Sequence, residues 1–446
     1  MQRTSLKRAG LYFAAVLILA AVTAAETTTQ DSTEAPLVIL GARLVDTSVA
    51  GPGEPVTVLV QDQIIHAVAG EVEIPSDARV IDARGKYLLP GLADMHNHLR
   101  SGTFLPGDKP AEILQQMLPW GITTVFDPAV HGAAYQLLRD EIGKDPDAYP
   151  RVFLTAGLFT APKGWGRGHQ PLSAAEARTV VQSMQASGSD AVKLMYDDMS
   201  WATTRPFAVL DRAVMAAIID EAHRLGMKAF VHAPVLELAA EAVEANVDCL
   251  LHGIISDPVS PEFIESMLEH GTCYMSTLTM FHTNAGYAAW ADRLEEFDKY
   301  ERLDPAILDA FRLPAVQGGT ARLDNTAYAA RQLPVLRENL LRVANAGVPI
   351  VIGTDTGIPG VLPGIALQLE LVMHVDAGLS PRQALNAATR NAAAMLDQAS
   401  VFGSIEPGLA ADILILDANP LEDIRNIRDI YRVIHAGRVY DPELAR

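Results

Sequence analysis

The chain is 446 residues long and contains only two cysteines, so no disulfide framework holds it and its stability must come from a buried core. Aromatic residues are few, at 6% of the chain, and basic side chains are outnumbered, with 35 Lys and Arg against 54 Asp and Glu. An acidic surface repels phosphate backbones and anionic lipids, which argues against nucleic acid or a membrane surface as partner. No apolar run long enough to span a bilayer follows the first 25 residues. There is no GxSxG elbow, and neither cysteine looks like an activated nucleophile, so serine and thiol chemistry fall away. The glycine run Gly164-Trp165-Gly166-Arg167-Gly168 has the wrong spacing for a dinucleotide fingerprint. No internal repeat of 20–50 residues is found. What is present is an ordinary globular composition, 49% hydrophobic and 20% charged, sufficient for a large core without staples.

The first residues read as a leader. Arg3, Lys7 and Arg8 precede an apolar run from Leu11 to Val22, and Val22-Thr23-Ala24 offers small residues for cleavage after Ala24 or Ala25. Residues 1–25 are therefore expected to be a signal peptide that sends the mature protein to the periplasm or outside the cell, with no membrane attachment after cleavage. Losing three basic residues takes the formal charge from −19 to −22. Residues 26–36 are polar and read as a flexible tether. In an oxidising compartment Cys249 and Cys273 could pair, but both sit in short apolar runs (VDCLLHG and GTCYMST) where buried free thiols are the commoner outcome.

β-like patterns occupy both ends of the chain, residues 37–88 and 403–446, and predict one small composite β-sandwich. Between them, residues 89–402, eight short apolar runs alternate with helical segments. They begin near Asp94, Ile122, Arg151, Ala191, Lys228, Asp248, Thr272 and Val348. Their nearly unbroken apolar character suits parallel strands buried on both faces. Val214, Ile218, Ala222 and Leu225 share a helical face stopped by Gly226, and Ser380-Pro381-Arg382-Gln383 is a capping box opening a helix toward Leu396. The fold class is thus α/β, a (β/α)8 TIM barrel, with an open doubly wound sheet as the alternative. Residues 281–347 far exceed a normal crossover and are read as either a lid over the barrel mouth or a peripheral, oligomer-contacting insertion.

Chemistry-bearing residues fall at the ends of these runs. His96 and His98 close the first, in LADMHNHL, where alternate residues of a strand share a face. Lys193 closes the fourth run, His232 the fifth, His252 the sixth and Asp355 the eighth. With 12 histidines in the chain a chance His-x-His arises about a third of the time, so the pair alone decides nothing. Barrel enzymes build active sites at the C-terminal ends of several strands, and four imidazoles with a carboxylate there suit a borderline Lewis acid such as Zn²⁺.

PGLADMHNH after a β-rich start, those strand-end residues in order, and the late stretches TRNAAAML and GSIEPGLAADILIL resemble the amidohydrolase superfamily over nearly the whole mature chain. The likeness is greatest to the branch of prolidase-like enzymes, Xaa-dipeptidases and N-acyl amino acid hydrolases. It implies two divalent metal ions, with His96, His98 and Asp355 on the buried one, His232 and His252 on the outer one, and Lys193 bridging them as a carbamate formed with CO2. It also implies hydroxide attack on an amide of a small substrate, a peptide or N-acyl amino acid, with Asp355 as general base and acid. His169, ending the glycine-rich loop TAPKGWGRGHQ, would touch the substrate carbonyl. An esterase, lactonase or phosphotriesterase could use the same centre; a mononuclear deaminase is the further alternative, which Lys193 disfavours. In one place the chain departs from the branch. Where a tyrosine that helps hold the substrate carboxylate is expected after the fifth-strand histidine, this chain reads His232-Ala233-Pro234, leaving Tyr196 or Arg167 as substitutes.

Overall fold

The computed structural model describes residues 35–45, 53–99, 109–313 and 326–442. The expected signal peptide, and all but the last two residues of the tether, lie outside them.

Eight short parallel strands follow one another as the sequence pattern predicts. They are β6 (Leu92–Asp94), β7 (Ile122–Asp127), β8 (Arg151–Leu154), β9 (Ala191–Met195), β10 (Lys228–His232), β11 (Cys249–Leu251), β12 (Cys273–Met275) and β13 (Ile350–Val351). Regular ladders join β6-β7-β8 and β9-β10-β11-β12-β13. The two seams between these sheets are closed by the backbone just beyond the strands. At the first, Phe159 N donates to Lys193 O and Met195 N to Phe159 O, each at 2.8 Å. At the second, Met95 N donates to Ile352 O at 3.1 Å and Asp355 N to His96 O at 2.9 Å. The buried Asp94 adds a side-chain clamp there, accepting from Thr354 N at 3.1 Å and from Thr354 Oγ1 at 2.7 Å. The result is a (β/α)8 barrel.

The outer helices use the signals expected of them. The helix Arg212–Arg224 buries Val214, Ile218 and Ala222 and is capped by Asp211. The capping box at Ser380 and Gln383 forms. The helix it opens is shorter than expected, however: it stops at Ala387, and a second helix covers Arg390–Met395. Thr389 leaves helical geometry while its hydroxyl donates to Leu385 O at 2.8 Å, the kind of local side-chain bond that competes with a helix interior.

Both chain ends enter one sheet. It contains β1 (Leu37–Leu44), β2 (Pro55–Gln61), β3 (Ile64–Ala69), β4 (Arg79–Asp82), β5 (Tyr87–Pro90), β14 (Ile413–Leu416), β15 (Ile430–His435) and β16 (Arg438–Tyr440). The ends meet where β5 runs parallel to β1 and antiparallel to β14. Inward residues of alternating register, among them Ile39, Val58, Ile65, Leu88, Ile413 and Ile434, form a core of their own.

One expectation changes. Cys249 and Cys273, expected to remain free, are joined as a disulfide. The parallel register of β11 and β12 sets them opposite each other with Cα atoms 4.4 Å apart, a pairing that local sequence does not reveal. The long insertion forms the helices Leu278–Ala285, Tyr287–Phe297, Pro305–Arg312 and Thr326–Asn345, with 314–325 outside the described residues. Trp290 Nε1 donates to Gly360 O at 2.7 Å, Lys299 pairs with Asp429 at 2.7 Å, and Asn339 bonds the backbone at Ile254, Asp257 and Val259. None of its described residues lines the cavity at the barrel mouth. They pack against the segments that follow β11 and β13.

Candidate metal centre

The strand-end residues meet. His96 and His98 leave β6 with their rings 5.2 Å apart and nearly perpendicular. Asp355 Oδ1 lies 3.0 Å from His98 Nε2 and 3.6 Å from His96 Nε2. One donor atom from each of these three residues fits within a 4.8 Å span. The close approach of the two segments needs Gly357, because a Cβ there would fall 2.0 Å from His98 O. Lys193 is 1% exposed, and its Nζ sits 3.0 Å from His96 Nε2. The His252 ring stands 4.6 Å from that of His96 and 4.3 Å from that of His232, so the outer pair adjoins the inner one.

Partners from the loops orient the outer histidines. His232 Nε2 lies 2.9 Å from Asp197 Oδ2 and His252 Nδ1 lies 2.8 Å from Thr277 Oγ1. Three non-glycine residues here, His252, Thr277 and Asp355, have φ of +94°, +47° and +65°. Such backbone is costly for branched or bulky residues and is kept where surrounding contacts over-determine it. Thr277 keeps its hydroxyl for His252 because another residue caps its helix: Glu370 accepts from Leu278 N at 2.7 Å and Thr279 N at 2.6 Å.

Electrostatics suit a cation. Burial, helped by the Lys193 charge, holds His96 well below the usual imidazole range. Burial and neighbouring charges do the same for His252, and burial lowers His232 despite Asp197 beside it. Neutral imidazoles are the ligand form. Burial pushes the Asp355 carboxyl up, but its electrostatic interactions with the neighbouring His96, His98 and His252 outweigh burial and hold it well below the usual carboxylate range. His96 Nδ1, His98 Nδ1 and Asp355 Oδ1 are buried without a hydrogen-bond partner. Orphaned buried polar atoms are uncommon, and three of those among the described residues belong to this trio. This donor set fits a divalent metal ion.

A cavity of about 2420 Å³ opens onto the cluster and is lined by His98, Lys193, His232, His252 and Asp355. His169 lines it too, but stands outside the cluster; its ring lies 5.6 Å from Phe159, with Nε2 3.5 Å from Ala156 O. Of the suggested carboxylate holders, Arg167 lines the cavity, whereas Tyr196 is buried and bonds Glu241. Sequence reasoning passed over Asp127, Asp197 and Thr277. Asp127 ends β7 and accepts from Leu99 N at 2.6 Å and Ala129 N at 2.8 Å, and its strand-end position was a usable signal. Asp197 and Thr277 lie in loops, where nothing local marks them.

The chain has known relatives. It is 27% identical over 457 aligned positions to the ochratoxinase of Aspergillus niger, covering 91% of this chain and 86% of that one. It is 25% identical to the imidazolonepropionase of Symbiobacterium thermophilum, covering 82% of each. Among solved structures, a prolidase-like protein of Bifidobacterium longum superposes with a TM-score of 0.72 at 27% identity, over 91% of this chain and 94% of that one. Residues 87–440 match the amidohydrolase family as a whole. The protein belongs to the amidohydrolase family and is a metal-dependent hydrolase acting on carbon–nitrogen bonds.

Proposed function

We propose that the protein is an exported hydrolase with two divalent metal ions, Zn²⁺ by the softness of its ligands, that cleaves the amide bond of a small substrate such as an N-acyl amino acid or a dipeptide. The observation that carries this reading is the buried trio His96, His98 and Asp355, whose donor atoms lie within 4.8 Å of one another, flanked by Lys193, His232 and His252. The trio would hold one ion and His232 with His252 the other. Bound ions of this kind act as Lewis acids that polarise a scissile carbonyl and acidify water.

The chain's own groups do the rest. A buried ammonium at Lys193 would oppose a cation beside it. Addition of its neutral amine to CO2, forming an N–C bond and releasing a proton, would instead make Lys193 an anionic ligand for the metal. Asp355, held as an anion, takes the proton of the attacking water and returns it to the leaving amine. His169, which lines the cavity at the mouth, would hydrogen-bond the substrate carbonyl. Asp197 and Thr277 fix the rings of His232 and His252.

Elemental analysis of the purified protein, prepared without chelator, tests the metal count. Two equivalents per chain support the reading and one favours a mononuclear centre. Lys193→Ala is expected to lose metal and activity, with partial rescue by short carboxylic acids; full activity without rescue rules out the carbamate.

A further inference from the structure

The loop after β8 contains Gly164-Trp165-Gly166-Arg167-Gly168-His169, in which glycines alternate with three large functional side chains. Two of the three glycines, Gly164 and Gly168, lie against the loop itself. A Cβ at Gly164 would fall 2.6 Å from Thr160 Oγ1 and 2.9 Å from Ala161 O, and one at Gly168 only 2.2 Å from Leu158 O. The fold-back is fastened by Thr160 N to His169 O (2.9 Å), His169 N to Leu158 O, Gly164 N to Ala161 O and Thr160 Oγ1 to Trp165 O (each 2.8 Å). Trp165, Arg167 and His169 all line the cavity that opens on Asp355. A loop held this way pays little ordering entropy when a ligand arrives.

Two features define the ligand. The Trp165 ring meets Phe207, from the loop after β9, edge to face at 5.2 Å, and Met195 and Leu158 line the same cavity, giving an apolar wall. Beside it stand Lys163, Arg167 and Arg205, while the acidic residues lining the cavity, Glu112, Glu141 and Asp355, all lie outside these two loops. In a chain of net charge −19, a wall with this local excess of cations concentrates anions.

We propose that the Gly164–His169 loop is the substrate-reading arm, and that the favoured substrate is an amide bearing both an aromatic group, seated against Trp165 and Phe207, and a carboxylate, held by Arg167 with Arg205 alongside. This deepens the proposed amidase reading and rests on it. It also supplies the carboxylate contact that Pro234 cannot make and Tyr196, bonded to Glu241, does not.

The test uses the metal-loaded enzyme and three substrates: N-acetyl-phenylalanine, N-acetyl-alanine and N-acetyl-phenylalaninamide. Trp165→Ala is expected to lower the phenylalanine-to-alanine ratio of kcat/KM about tenfold, chiefly through KM, with Trp165→Phe keeping most of it. Arg167→Gln is expected to lower the carboxylate-to-carboxamide ratio about tenfold. Ratios within about twofold of the wild type in both variants overturn the proposal. If the wild type hydrolyses none of the three, the amidase reading is what fails. Calorimetric binding of phenylalanine, alanine and phenylalaninamide then judges the arm: preference for phenylalanine that Trp165→Ala removes supports it, and equal binding overturns it.

Discussion

Two buried histidine sites in this molecule look alike in composition and differ in what surrounds them. Near the N-terminal end of β8, His435 is 3% exposed, with Nδ1 2.7 Å from Asp412 Oδ1 and Nε2 2.7 Å from Tyr149 O. Arg151 approaches the other Asp412 oxygen at 3.3 Å and Ala436 N donates at 3.2 Å. At the C-terminal ends of the strands, His96 is equally buried, yet its Nδ1, the Nδ1 of His98 and one oxygen of Asp355 have no hydrogen-bond partner. Burial therefore does not separate a structural histidine from a ligand. Local geometry does: in the first site both ring nitrogens of His435 meet an acceptor and tie the terminal sheet to the barrel, while in the second His96, His98 and Asp355 each bring a donor atom within 4.8 Å of the others, a span that a cation can take.

The comparison can be broken by substitution, beginning with the largest expected effect. Asp355→Asn keeps the shape of the second site but removes its base, so turnover is expected to fall by about 10²- to 10⁴-fold with much of the metal retained. Steady-state kinetics with elemental analysis checks this, and near wild-type kcat would refute the acid–base role. His435→Ala strikes the first site, leaving Tyr149 O without its partner and the buried Asp412 held only by Arg151 and Ala436 N. It is expected to cost about 3 kcal/mol of stability in denaturant unfolding, with metal content and turnover per folded molecule unchanged. Loss of metal in that variant would erase the distinction between the two sites.

The smallest effect concerns pH. Burial pushes Glu370 up to about 7 from an ordinary value of 4.5. Between those values the folded chain holds a proton that the unfolded chain has released. This contribution to stability is therefore complete below about pH 4.5 and is lost as pH rises through about 7. Asp94, pushed by burial to about 7, acts with the same sign. Glu370→Gln should remove its share, so urea unfolding from pH 5 to 7.5 is expected to show the wild type losing ground to the variant by at most about 1.4 kcal/mol per pH unit. A difference independent of pH would mean that Glu370 is not protonated in the fold.

The barrel was legible because each buried parallel strand announces itself as a short apolar run, and the site because its residues stand where those runs end. His96 and His98 needed only the two-residue period of a strand to be placed on one face. The break at Thr389 was not legible, because the helical pattern continues through it and only a hydroxyl-to-backbone bond interrupts it. The location of residues 281–347 was equally hidden, since amphipathic helices do not say which wall of a barrel they cover.

By itself the sequence determined the order of elements, the positions of His96, His98, His232, His252 and Asp355 at or just beyond strand ends, and the glycine spacing of the loop that carries Trp165 and Arg167, all properties of local period and residue type; Lys193 lies in the middle of β9 instead. The tertiary structure alone decided that Cys249 faces Cys273, that Asp197 and Thr277 orient two of the histidines, and that His435 is satisfied where His96 is not. Those outcomes depend on register between strands and on which groups burial leaves without water, and both are set by residues far apart along the chain.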